Sequence, residues 1–177
     1  MYGLPDILWV VPGNSPIKGP ADLNGKRIAY SRTGSVTHMG LMAYLDEHKI
    51  KAEVISTGNP SATRTMLMSG QLDVGFTLVP QNLDLLKSGE YRLLFTGNDT
   101  AEMRGVARTV VATSARALAE KRDLIGRYLI AHFKAVDFVY RGGTDAALKQ
   151  FAEDNKMDIA VARDSLKYYK HEYHAPL

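Results

Sequence analysis

KRIAYSRTGSVTHMGLMAYL, residues Lys26–Leu45, decides how the rest of the chain is read. RIAYS (Arg27–Ser31) is a short apolar run and predicts a buried strand. From Ser35 to about His48 the spacing becomes helical, with Val36, Met39 and Ala43 on one stripe and Met42 and Leu45 beside it. Between the two lies a loop of Ser, Thr and Gly. Such a strand–loop–helix passage gathers hydroxyls and unpaired backbone N–H groups at the positive end of a helix dipole. Ser35 can simply cap its own helix, a contribution of about 1 kcal/mol. The same geometry also accepts sulfonate, phosphate or carboxylate. The two roles do not exclude each other.

Working outward, DILWVVP (Asp6–Pro12) reads as a strand closed by Pro12 and Gly13, followed by a Pro/Gly-punctuated connector with one helical turn at Ala21–Leu23. AEVIST (Ala52–Thr57) predicts the next strand and Pro60–Ser69 the next helix, with Pro60 suited to its first turn and Gly70 ending it. LDVGFTL (Leu72–Leu78), a short helix Pro80–Lys87 and YRLLFTG (Tyr91–Gly97) complete a β-α-β-α-β-α-β order with short connections. That order predicts a parallel-sheet α/β lobe. The texture changes across the loop Gly97–Gly105. Beyond it we expect one strand, Val106–Ser114, and a long helix Ala117–Tyr140 burying Ile125, Leu129, Phe133, Val136 and Tyr140. Gly142-Gly143 ends that helix, and two helices follow, Thr144–Asn155 and Ala160–Tyr169.

Composition narrows the function classes. The 177 residues are 45% hydrophobic and 23% charged, as in an ordinary globular protein with a real core. A net charge of +3 suits small anions and is too mild and dispersed for nucleic acid. With no cysteine, disulfides and thiolate zinc sites are excluded. No apolar run reaches the roughly 18 residues of a membrane helix. The N-terminus lacks a basic n-region and a small-residue cleavage site, so it does not read as a signal peptide: the protein is cytoplasmic, or a targeting segment lies outside this chain. The HEYH pair (His171, His174) has no further His or Cys beside it and reads as a surface tail rather than a metal site. No triad ordering, paired carboxylates or phosphate loop appears.

Three motifs in order, ADLNGKRIAYSRTGSVTH, MLMSGQLDVGFTLVP and RTVVATSARALAEKRDLIGRYLIAHFKAVDFVY, resemble the substrate-binding proteins of nitrate/sulfonate/taurine-type ABC importers, a group that includes the thiamine-precursor binders. The D-L-x-G-K-x-I entry to a strand and the L-x-S-G-Q-x-D helix-to-strand turn are the most telling pieces. The resemblance implies a type II periplasmic-binding-protein fold of two α/β lobes. On this chain it implies an outgoing crossover strand and connector (1–20), a complete parallel-sheet lobe two (21–105), and a return crossover with the C-terminal helices of a partial, helical lobe one (106–177). The family's opening βαβ-rich stretch has no counterpart here. The apolar faces of Phe133, Val136, Tyr140, Leu148 and Phe151 are therefore expected to lack a partner, which points to a homodimer through the C-terminal helices or a companion chain.

The function implied is binding of a small anionic or zwitterionic solute in an interlobe cleft, with hinge closure, no cofactor and no chemistry. The full-length parent would be periplasmic, or extracellular and lipid-anchored, and would work with the membrane subunits of an ABC importer. Two alternatives share the fold: the effector domain of a transcriptional regulator and a thiamine-pyrimidine-synthase-like enzyme.

In an open parallel sheet, ligands sit outside the carboxyl ends of the strands. Three such corners exist here. The first, Ser31–Thr37, offers Ser31, Arg32, Gly34, Ser35, Val36 and Thr37, with His38 in the first helical turn; the second, Thr57–Ala62, offers Asn59 and Ser61; the third, Thr77–Gln81, offers Gln81. Arg32 can close over an anion by a bidentate contact or stay a solvated loop residue. A neutral His38 can donate to a ligand or be a half-buried surface residue. Arg64 reads as a helix-surface charge. Trp9 and Tyr30 are cleft walls or core.

Overall fold

The computed structural model describes residues 5–107 and 110–169. The chain divides into two units, Met1–Arg108 and Thr109–Leu177. Val106–Ser114 spans the division, and its residues 108–109 and the pair His171/His174 lie outside the described residues.

In the first unit the elements run β1 (Ile7–Pro12), a 3-10 turn (Pro20–Leu23), β2 (Arg27–Tyr30), α1 (Val36–Glu47), β3 (Glu53–Ser56), α2 (Pro60–Met68), β4 (Gly75–Leu78), α3 (Leu83–Ser88) and β5 (Tyr91–Thr96), then a 3-10 turn (Gly97–Asp99) and α4 (Ala101–Arg104). The last two replace the plain loop expected there. β2 and β3 pair in parallel, Arg27 opposite Glu53 and Tyr30 opposite Ser56. Val74, just before β4, forms a parallel bridge with Ile28, its carbonyl accepting from the Ala29 N–H at 2.9 Å. β4 and β5 flank β1, both antiparallel to it. β2, β3, β4 and β5 thus share one direction, and β1 runs against them between β4 and β5. The predicted parallel set is present, in a mixed sheet.

The β1 sequence explains its central place. A strand covered on both faces reads as a continuous apolar run rather than an alternating one, and Ile7–Val11 is at most 1% exposed throughout. Trp9 is core and not a cleft wall: it is fully buried, its indole donates to the Ala29 carbonyl at 3.1 Å, and its ring stacks on Phe95 at 4.7 Å. Phe95 stacks in turn on Tyr44 of α1 at 3.7 Å. Burial and the nearby Asp99 and Glu47 carboxylates push the Tyr44 phenol up to about 12. Tyr30, 8% exposed, is also core.

The α1 stripe expected from the sequence is corrected. The buried face is Thr37, Gly40, Leu41, Tyr44 and Leu45, whereas Met39 and Met42 are 44% and 45% exposed. Tyr44 anchors the helix by stacking on Phe95, and that contact rotates the methionines outward.

The second unit is helical: α5 (Ala115–Glu120), α6 (Arg122–Arg141), α7 (Thr144–Asp154) and α8 (Ile159–Tyr169). The expected single helix Ala117–Tyr140 is two, separated at Lys121, whose φ of −131° and ψ of 31° leave the helical region. Glu120-Lys121-Arg122-Asp123 are four charged residues in a row at that break. Ser114 caps α5, accepting from the Ala117 N–H at 3.1 Å. The expected strand Val106–Ser114 has no ladder among the described residues, and Val110 and Val111 are 71% and 55% exposed. β-prone residues form a strand only where a neighbour supplies the pairing.

The buried stripe of α6 is also corrected. Ile125, Leu129, Val136 and Tyr140 are half-buried and Phe133 is 46% exposed. Leu148, expected without a partner, instead packs with Ala152, Ala162, Met157 and Leu166 between α7 and α8. Phe151 is 38% exposed. No helix of the described residues is long and apolar enough to cross a membrane.

Candidate functional site

The first corner is built by three hydroxyls. Ser31 Oγ lies 2.9 Å from Ser35 Oγ and 2.8 Å from Thr37 Oγ1, and the latter two are 2.8 Å apart. Ser35 is the N-cap of α1 and accepts from the His38 N–H at 3.2 Å. Thr37 Oγ1 also accepts from the Ser31 N–H at 2.9 Å. Ser35 Oγ thus accepts from the Ser31 hydroxyl and the His38 N–H, so its own proton points elsewhere, with Thr37 Oγ1 within reach. Thr37 is 2% exposed, so its hydroxyl shapes the corner from beneath, while Ser31 and Ser35 are half-buried at its surface. The N–H groups of Val36 and Thr37, in the first turn, have no intrahelical acceptor.

Gly34 makes the turn that presents these groups, with φ at +78°, a conformation costly for a residue with a Cβ. Its N–H donates to His38 Nδ1 at 3.3 Å, and a ring that accepts there carries its hydrogen on Nε2 when neutral. The imidazole leans on Tyr30 at 4.6 Å. Arg32 is exposed, and its carbonyl accepts from the Ser35 N–H at 3.1 Å.

The second corner is stitched to the first. The Ser31 carbonyl accepts from the Gly58 N–H at 2.8 Å and from Ser56 Oγ at 2.8 Å, and the Tyr30 carbonyl accepts from the Thr57 N–H at 2.9 Å. Asn59 caps α2 by accepting from the Ala62 N–H at 2.9 Å, and Ser61 is exposed in the first turn. Sequence reasoning began this corner at Thr57 and passed over Ser56, although a strand ending Ser-Thr at its carboxyl edge was a legible signal. Arg64 is exposed on α2, as read.

The third corner is corrected. Pro80 does not begin a helix: α3 starts at Leu83, behind an Asn82 with φ of 58°. Thr77 Oγ1 donates to the Gln81 carbonyl at 2.9 Å and accepts from Asn82 Nδ2 at 3.1 Å, closing a tight turn with its own hydroxyl. Gln81 is exposed, and among the described residues no hydrogen bond links it to the first corner.

Across Ser31–His38 and Ser56–Thr63 the only formal charge is Arg32; there is no carboxylate and no lysine. Among the described residues no group of three His, Asp or Glu stands where it could hold a metal ion. The arrangement offers neutral N–H and O–H donors on a sheet's carboxyl edge. It has no base paired with a nucleophile.

A mixed sheet with one antiparallel strand, helices on its faces and such a corner at its carboxyl edge defines a periplasmic-binding-protein lobe of the second type. The solved structures agree on the fold. The alkanesulfonate-binding protein SsuA of Xanthomonas axonopodis pv. citri, bound to MOPS, superposes with a TM-score of 0.72 at 21% identity over 93% of this chain and 56% of its own. The periplasmic aliphatic sulphonate-binding protein SsuA of Escherichia coli gives 0.71 at 20% over 93% and 52%. A Candida albicans protein with the generic periplasmic-binding-protein fold gives 0.72 at 16% over 94% and 54%. The chain thus spans about half the length of the structures it matches. No curated protein matches it in sequence. The family model described as NMT1/THI5 like matches residues 5–146, and the chain belongs to that family.

Proposed function

We propose that this chain is the solute-binding component, or a part of it, of an ABC importer, and that its first corner holds the anionic group of a small anionic or zwitterionic solute. The observation that carries this reading is the Ser31–Ser35–Thr37 triangle at the start of α1, free of carboxylates. Ser31, Ser35 and the first-turn amides of Val36 and Thr37 donate to the solute. Gly34 lets the loop approach, and Thr37 holds Ser31 and Ser35 in place. His38 donates from Nε2, Arg32 folds over the anion, and Asn59, Ser61 and Gln81 line the rim.

Residues 21–105 act as lobe two, residues 1–20 as the outgoing crossover with its connector, and residues 106–177 as the return crossover and helices of a partial lobe one. Hinge closure of two lobes on the solute signals to the importer's membrane subunits, in a periplasmic or lipid-anchored extracellular protein. The fold shared with sulfonate binders supports this, and so does the neutral donor set. The site is a binding site rather than an enzyme's: a pyridoxal-type cofactor needs a lysine to carry it, and neither corner has one. The same absence weighs against a thiamine-pyrimidine-synthase-like enzyme, and the unit α5–α8 against a regulator's effector domain.

Calorimetric titration of the whole protein with aliphatic sulfonates, nitrate and thiamine-precursor pyrimidines tests the reading. One class should bind, and Ser31→Ala/Ser35→Ala should weaken it at least tenfold, since hydrogen bonds to charged groups are worth roughly 1.5–3 kcal/mol each. Unchanged affinity in a folded double variant reduces Ser35 to a cap, and turnover with pyridoxal phosphate present would replace binding by catalysis.

A further inference from the structure

The hydroxyls at the carboxyl end of β3 direct their hydrogen bonds at β2. The Tyr30 carbonyl accepts twice from Thr57, from its N–H at 2.9 Å and from its Oγ1 at 3.2 Å. The Ser31 carbonyl also accepts twice, from the Gly58 N–H and from Ser56 Oγ, both at 2.8 Å. A carbonyl oxygen has two lone pairs, so both oxygens are saturated. Behind them Thr57 Oγ1 lies 2.5 Å from Thr63 Oγ1, which is within 2.9 Å of the Asn59 carbonyl, and Thr63 is 1% exposed. That pair anchors the end of β3, and Ser56, itself exposed, reaches across from it.

We infer that Ser56 is a positioning residue of the first corner: its hydroxyl fixes the peptide plane that carries Ser31, and it covers an acceptor at the rim of an anion site. The inference rests on the reading of that corner as an anion site. Ser31 is held at all three of its polar groups. Its N–H donates to Thr37 Oγ1 at 2.9 Å, its Oγ lies against Ser35 and Thr37, and its carbonyl takes the two donors from β3 and the loop after it. The first two anchors belong to the start of α1 and the third to the end of β3. The Ser31 hydroxyl is thus set against the first-turn amides by a clamp with a jaw on each element. A donor fixed before the ligand arrives loses less freedom on binding.

The second effect is electrostatic. A carbonyl oxygen carries partial negative charge, and a lone pair left open beside an anion repels it. With Ser56 in place both lone pairs of the Ser31 oxygen are engaged, which keeps the corner a set of donors. Because Ser56 is exposed, water can take over its hydrogen bond at little cost to the fold, but a water fixes the peptide plane less firmly than a side chain on a strand. Ser56 therefore separates the geometry of the site from stability. Thr57 and Thr63 do not, since they are half-buried and buried and their loss would unsettle β3 itself.

Calorimetric titration of the whole protein with ethanesulfonate and with nitrate, run beside the Ser31→Ala/Ser35→Ala variant, tests this. Ser56→Ala should weaken whichever anion binds about fivefold, the factor of one ordinary hydrogen bond. Its thermal midpoint should move by no more than about 2 °C, as for an exposed substitution. Ser56→Thr keeps the hydroxyl and suits a strand, and should restore the wild-type affinity. Without solute, the Ser31 amide should exchange at least about threefold faster in Ser56→Ala than in the wild type. Wild-type affinity in Ser56→Ala, with Ser31→Ala/Ser35→Ala still weakened, would overturn the positioning role and leave the anion corner standing. A loss that Ser56→Thr does not restore would overturn that role too. Binding of neither anion by the wild type would overturn the anion reading and the positioning role with it.

Discussion

Arg27 and Asp73 hold each other across 46 residues of sequence, at the amino ends of β2 and β4: Arg27 Nε and Nη2 donate to Oδ2 and Oδ1 at 3.0 Å each, and the Arg27 backbone N–H donates to Oδ2 at 2.8 Å. The Arg27 side chain is 37% exposed and that of Asp73 29%, so solvent screens part of the attraction. The fork geometry nevertheless fixes where the chain leaving α2 enters the sheet, just before the bridge of Val74 to Ile28.

The Arg27 guanidinium and the backbone N–H hold the Asp73 carboxyl below its ordinary value, against a smaller opposing effect of burial. A carboxyl lowered in the fold contributes stability that is complete above its unfolded value and is lost as pH falls through the folded one. Asp73→Asn should therefore cost about 1 kcal/mol at pH 7, after allowance for screening. The gap between the variant and the wild type should narrow below about pH 4, where the unfolded carboxyl takes up its proton. Urea unfolding at pH 7 and pH 3 measures both. An equal gap at the two pH values would mean that Asp73 acts through its backbone position alone.

Much of this fold was legible because its signals are local. Pro60 and Gly70 punctuate the chain where α2 begins and ends, and the apolar run Asp6–Pro12 announced a strand. What escaped is set by contacts distant in sequence. The antiparallel course of β1 depends on β4 and β5, which follow it by some sixty residues or more. The rotation of α1 depends on Tyr44 meeting Phe95. At the site, the Ser35 cap and the gathering of Ser31 and Thr37 were readable from spacing, whereas the burial of Thr37 was not. Nor was the use of Thr77 to close its own turn, because a hydroxyl's partner is not written in its neighbours.

Thr37 and Ser35 should differ in what they stabilise. Ser35→Ala removes an N-cap and should cost about 1 kcal/mol. Thr37→Val leaves the Ser31 N–H without its acceptor in a half-buried loop and should cost roughly 1–3 kcal/mol. Because the three hydroxyls share protons, the double variant should cost less than the sum of the two. Strict additivity in chemical denaturation would show that the triangle is three separate contacts.

Gly13 and Gly89 meet backbone to backbone. A Cβ on Gly13 would run into the Gly89 carbonyl oxygen, where the Gly13 N–H also donates to the Glu90 carbonyl at 2.8 Å. No side chain is available to swing aside, so the end of β1 and the turn into β5 must separate. Gly13→Ala should lose about 3 kcal/mol. Gly143→Ala is the contrast: its Cβ would meet the Phe138 ring, 54% exposed and free to rotate, so less than about 1 kcal/mol should be lost. Comparable losses in thermal unfolding would show that the Gly13 contact relaxes.

Hydrogen exchange should separate the two units. β1 is buried along its length and pairs on both sides, so its amides should open only with global unfolding of the first unit. α7 and α8 are joined by a small cluster around Leu148, Ala152 and Ala162 and by the Arg163–Asp145 pair at 2.9 Å, both exposed side chains. Such a cluster supports a much lower opening free energy, and the amides of α7 and α8 should exchange at least about a hundredfold faster than those of β1. Equal protection of β1 and of α7 and α8 would mean that the second unit is held as firmly as the first.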